Sequence, residues 1–80
     1  MLLKVKGTAT DIANNPIDLD RATVCSVVNI HTAAVLIALG GGATLYIAAG
    51  ERVLIEKLPD ETIDAPGHSA TEIWATSVGY

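Results

Sequence analysis

Apolar and polar residues alternate from the start of the chain, where Leu3, Val5 and Ala9 stand among Lys4, Lys6, Thr8 and Thr10. Successive side chains of an extended chain point to opposite sides, so a period of two predicts a strand with one wet face. The next stretch, DIANNPIDLD, carries Asn14-Asn15-Pro16 and three aspartates and predicts an irregular connection. RATVCSVVNI is rich in Val and Thr and lacks helical apolar spacing, which predicts a strand. AAVLIAL follows, with Val35, Ile37 and Leu39 on one side and Leu36 on the other. ATLYI, RVLIEKL, ETIDA and TEIWATSVGY complete the set. Turn chemistry separates these runs at Gly40–Gly42, Ala49-Gly50, Pro59-Asp60 and Pro66-Gly67-His68. Short strands at this regular spacing predict an all-β fold, a small antiparallel β-sandwich or barrel of about seven strands. Residues 1–80 are expected to form a single β domain.

The three consecutive glycines in VLIALGGGATLYI admit three readings. A dinucleotide-binding turn needs G-x-G-x-x-G opening a helix; Gly40 and Gly42 fit the first two places, but Leu45 occupies the third. A P-loop ends in Gly-Lys-Ser/Thr, and no lysine lies between Lys6 and Lys57. Thr44, Tyr46 and Ile47 also favour a strand over the helix whose N-terminus would bind an anion. The second reading is a membrane span around residues 32–50, because no residue from Ala22 to Gly50 is formally charged. Each central glycine would cost such a helix about 1 kcal/mol, and no Lys or Arg cluster flanks it. The third reading, a hairpin turn, explains most, since glycine supplies the positive φ angles of tight turns without steric cost.

Composition narrows the field. Nine carboxylates stand against five Lys and Arg, which disfavours nucleic acid as a partner because phosphate surfaces need clustered cations. One cysteine, Cys25, excludes an internal disulfide. No signal-peptide pattern opens the chain. A chain of 80 residues buries only about 60–65% of its unfolded surface, so partner subunits would help to stabilise it.

Few residues suggest chemistry. Cys25 and His31 lie six positions apart, about 20 Å along an extended strand, too far to share a zinc ion. His68 sits in the turn PGHSA and is expected to face solvent. Asp11, Asp18 and Asp20 lack the Gly and Glu of a calcium loop. Asp60, Glu61 and Asp64 read as a wet edge that discourages aggregation. Ser69 and Ser77 lack a nucleophile-elbow context. The chain is therefore expected to be no enzyme, with no catalytic, cofactor-binding or metal-binding residues and no cofactor. Protein contact is the better prospect. Leu36 and Val27 point opposite to their apolar neighbours and call for a cover. Trp74, Val78 and Tyr80 share one face of the last strand, and Trp and Tyr are common interface anchors. The last strand runs to the final residue, where it is either paired within the sheet or offered to another subunit.

The run TAAVLIALGGGATLYIAAGERVLIEKLPDETIDA resembles small all-β virion proteins of tailed bacteriophages, especially marine and cyanobacterial viruses. The matching positions are Ala48, Ala49, Gly50, Val53, Glu56 and Lys57, where an apolar hairpin passes through a turn into a strand ending in Glu-Lys. The start LKVKGTA and the Trp74/Tyr80 strand are similar to that group as well. The resemblance implies a capsid decoration or cement protein that binds the major capsid protein lattice and stabilises the head. A neck, tail or fibre component is the alternative, and a small membrane-spanning protein the second alternative. It also implies a homo-oligomer, in the manner of trimeric decoration proteins, sited on the capsid surface and in the host cytoplasm before assembly. The family has no catalytic residues to carry over.

Overall fold

The computed structural model describes residues 4–68 and 70–79. Among the described residues, eight strands follow one another: β1 (Lys4–Val5), β2 (Thr10–Asp11), β3 (Val24–Asn29), β4 (Val35–Leu39), β5 (Thr44–Ile47), β6 (Arg52–Glu56), β7 (Ile63–Asp64) and β8 (Ile73–Gly79). The fold is all-β, as the alternation implied. One sheet runs β1-β8-β3-β6 with β2 also on β8, and the other runs β5-β4-β7. Every strand pair in both sheets is antiparallel.

The first expected strand is split in two, which raises the count to eight. Lys4 and Val5 pair with Gly79 and Val78, whereas Thr10 and Asp11 pair with Ala75 and Trp74. The edge thus advances five residues, Val5 to Thr10, while β8 retreats three, Val78 to Ala75. The two surplus residues bulge out around Gly7, and such an interruption blunts an otherwise open sheet edge.

Alternation decides what is buried. Cys25, Val27 and Asn29 of β3 and Ile73 and Ala75 of β8 face inward at 0% exposure. They meet Val35, Ile37, Ile47 and Ile63 of the smaller sheet in one core cluster. Five isoleucines, Ile12, Ile37, Ile47, Ile63 and Ile73, are fully buried; each contributes about 1.5–3 kcal/mol over its exposed state. Val27 therefore needs no partner chain: its own smaller sheet covers it, and Val24, Ser26 and Val28 are the residues of β3 that face out.

The segment expected to be an irregular connection does more than connect. Ile12 and Leu19 enter the core, and the backbone of residues 12–17 bonds to both sheets. Ile12 N–H donates to Ile73 O of β8, Asn14 N–H to Ala65 O, and Ile17 and Ile63 exchange two hydrogen bonds. This closes one side of the sandwich. The other side is tied by Asn29, described below. Leu19, Asp20 and Arg21 all have positive φ, 55°, 57° and 62°, a left-handed turn that costs about 1–2 kcal/mol per non-glycine residue. Its return is the placement of Leu19 in the core.

The glycine run is a turn. Residues 32–50, the alternative membrane span, fold instead into the hairpin of β4 and β5, with Val35 opposite Ile47 and Ala38 opposite Thr44. Leu39 N–H donates to Ala43 O and Gly42 N–H to Leu39 O, and Gly42 takes the positive φ of 102°. Among the described residues, no helix is long and apolar enough to cross a membrane.

Candidate functional site

Two regions of the surface stand out, an apolar trough and a cluster of imidazoles. The trough lies on the outer face of the larger sheet, where the odd-even pattern of four strands places Val5, Thr76 and Val78, Ser26, and Arg52 and Leu54 side by side. Cross-strand register fixes the order: Val5 opposite Val78, Thr76 opposite Ser26, and Ser26 opposite Leu54. The two middle strands contribute small or β-branched residues, and the flanking strands carry Val5 on one side and Leu54 and Arg52 on the other. Val5 and Leu54 stand exposed at 66% and 53%, while Ser26 and Val78 at the floor are nearly covered. Gly7, Ala9 and these six residues line a depression of about 420 Å³. Its single charge, the Arg52 guanidinium, donates to Ser26 Oγ at 2.8 Å, which holds the long side chain down as one wall.

The residues singled out for protein contact fall on two sides of the sandwich. Trp74 and Val78 share the outer face of β8, as alternation required, with Val78 in the trough and half-buried Trp74 flanked by Val28 and Asp11. Leu36 is on the opposite side, on the outer face of β4 next to Tyr46, whose ring is 71% exposed. Tyr80 lies outside the described residues. The alternation set Val5 on the apolar face of the first strand, away from the wet lysines, yet it stands exposed, and only the strand order brings it together with Leu54.

The second region was not anticipated. The β3–β8 ladder ends at Asn29 opposite Ile73, and Ile30 N–H extends it by donating to Glu72 O at 2.9 Å. That brings His31 beside Glu72. The Pro66-Gly67 turn, closed by His68 N–H to Ala65 O with Gly67 at φ 79°, delivers His68 to the same place. His68 Nε2 and Glu72 Oε1 are hydrogen-bonded at 3.2 Å. His31 Nδ1 comes within 2.9 Å of the same oxygen but out of line for a hydrogen bond, and this shielded nitrogen makes no hydrogen bond among the described residues. The two rings meet edge to face with centroids 4.8 Å apart. His68 is thus packed and not the solvent-facing turn residue expected, with its side chain only 14% exposed.

The remaining polar residues have structural duties. Asn29, fully buried, donates through Nδ2 to Ala33 O and Ile47 O at 3.0 Å each and to Ala48 O at 3.3 Å, and accepts from His31 N–H at 2.8 Å. Lys57, 5% exposed, turns inward at the end of β6 and donates to Asp18 O at 2.8 Å, bracing the left-handed turn. Cys25 stays in the core far along the strand from His31, and burial pushes its thiol pKa up while the Lys57 charge partly opposes this. Asp11, at the end of β2, and Asp18 accept from the backbone N–H groups of Ala13 and Asp20, so both carboxylates shape the backbone that follows them. Glu61 accepts from Leu58 N–H and Gly41 N–H, so it pins the glycine turn in addition to wetting an edge. Searches among known protein families, curated proteins and solved structures found no match to this chain, so its own residues carry the functional reading.

Proposed function

We propose that this chain is a non-enzymatic structural protein that docks on other virion proteins through the outer face of its larger sheet. The setting is that of a decoration or cement subunit on the major capsid protein lattice of a tailed phage, where it stabilises the head. The observation that carries this reading is the trough bounded by Val5 and Leu54 over Val78. Two large apolar side chains stand exposed on either side of a recessed floor, an arrangement that leaves apolar surface in water until a partner segment fills it. Arg52 at its wall gives an incoming carboxylate or backbone carbonyl a fixed donor.

On a lattice, many copies sit close together, so contacts that are weak singly add up through multivalency. The separate apolar pair on the opposite side, Leu36 and Tyr46, supplies a second surface, which suits self-association into a homo-oligomer such as a trimer. The resemblance of the hairpin and the Ala48-Ala49-Gly50 turn to small phage virion proteins supports the same reading. A neck, tail or fibre position would use the same face. The location that goes with this role is the capsid surface, preceded by the host cytoplasm before assembly. Mass spectrometry of purified virus particles carrying the gene tests the proposal. The chain is expected at a copy number that is a simple multiple of a capsid or tail symmetry, head-like if in the hundreds. Its absence from particles while present in the infected cell would rule the role out.

A further inference from the structure

We infer that His31, His68 and Glu72 form a binding site for one divalent transition-metal ion, Zn²⁺ foremost. Two imidazole nitrogens and a carboxylate oxygen converge here from two separate pieces of chain, and their ligand atoms all lie within 4.8 Å of one another. The two Glu72 separations, 2.9 and 3.2 Å, are close to the roughly 3.3 Å between donors that each sit about 2.0–2.1 Å from a tetrahedral zinc. Hydrogen bonding among the three accounts for only part of the arrangement. Glu72 Oε1 takes a hydrogen bond from His68, while His31 Nδ1, 2.9 Å from the same oxygen, makes no hydrogen bond among the described residues. A shielded ring nitrogen with no partner is costly unless something accepts its lone pair, and a cation does so.

The donor set also selects the ion. Imidazole suits zinc, copper, nickel and iron, whereas Ca²⁺ and Mg²⁺ demand mostly oxygen ligands. Three protein donors leave a fourth position for water. The backbone of each donor residue is hydrogen-bonded: His31 N–H is held by Asn29 Oδ1, Glu72 is anchored through its carbonyl to Ile30, and His68 N–H closes a tight turn on Ala65 O. The side chains of His31 and Glu72 are 33% and 31% exposed, so the ion can enter from solvent. Once bound, it would join the residues after β3, the turn after β7 and the residues before β8.

The test uses the untagged full chain, stripped with chelator, and titrates Co²⁺ as an absorbing substitute for Zn²⁺. One Co²⁺ per chain is expected, with the intense visible bands of a four- or five-coordinate ion, displaced by Zn²⁺ and unaffected by Ca²⁺ or Mg²⁺. The Zn²⁺ dissociation constant is expected below about 0.1 mM. His68→Ala and the shape-preserving Glu72→Gln are each expected to weaken Zn²⁺ at least about tenfold, with unchanged circular dichroism. Cys25→Ala is expected to leave binding intact. Weaker binding than this by the parent chain, or wild-type affinity in both His68→Ala and Glu72→Gln, overturns the assignment.

Discussion

Replacing Asn29 with alanine probes how the two sheets are joined. The side chain is fully buried and holds Ala33 O, Ile47 O and Ala48 O with its amide while its own oxygen receives His31 N–H. Alanine removes all of these at once. Ile47 O is buried, and His31 N–H and Ala33 O are part-buried, so water can rescue them only in part. Each buried group left without a partner costs about 1–3 kcal/mol, so Ile47 O in full and the three part-buried groups, Ala48 O among them, in part together give about 3–5 kcal/mol. A chain of 80 residues has about 4–12 kcal/mol in all, so the variant stands near the edge of unfolding. Urea titration followed by Trp74 fluorescence and far-ultraviolet dichroism measures the loss. A midpoint lower by about 2–4 M, or no folded baseline, is expected. Asn29→Asp keeps the shape but turns a carboxylate toward three carbonyls; burial favours its neutral form, so its penalty should shrink as pH falls. A midpoint shift below about 0.5 M for Asn29→Ala, at unchanged slope, would show that the amide does not hold the sandwich together.

Other substitutions follow the same logic. Gly42→Ala meets no atom within 4 Å but must adopt a φ of 102°, and is expected to cost about 1–2 kcal/mol by thermal melting, with the hairpin retained. Cys25, with its pKa pushed up by burial, should resist alkylation near neutral pH in the native state. It should react at the rate of a model thiol once denaturant unfolds the chain; prompt labelling of folded protein would contradict the core position. Tyr46→Ser on the outer face of β5 should leave the melting temperature nearly unchanged and reduce self-association in sedimentation equilibrium. A monomer before the change and after it would remove the self-association reading.

The strands were legible because side-chain direction in a strand alternates with sequence position, and the run from Val35 to Ile47 kept that rhythm on both sides of its glycines. What the alternation could not assign was the side of β3 that faces in. Val27 looked like a surplus apolar residue, yet it lies inward between Cys25 and Asn29. A polar asparagine at a strand end gave no sign of being fully buried. The aspartate-rich segment hid Ile12 and Leu19 for a related reason: each is a lone apolar residue among polar ones, and its burial depends on a backbone path that bonds to both sheets. The imidazole cluster was invisible on other grounds. His68 and Glu72 are four apart, but His31 joins them only through the register of β3 against β8, a pairing across more than forty residues. The trough shares that dependence, since Val5 and Leu54 become neighbours of one depression only when β1, β8, β3 and β6 lie in that order.

Sedimentation of recombinant chain with purified phage heads that lack it, comparing the parent with Leu54→Glu, asks most directly whether the outer face of the larger sheet is the docking surface. Leu54 is more than half exposed, so the change should leave the fold intact by circular dichroism. The parent chain should pellet with the heads and Leu54→Glu should stay in the supernatant. Equal pelleting of the two would place the contact elsewhere, and failure of the parent to pellet at all would deny the chain a place on the head.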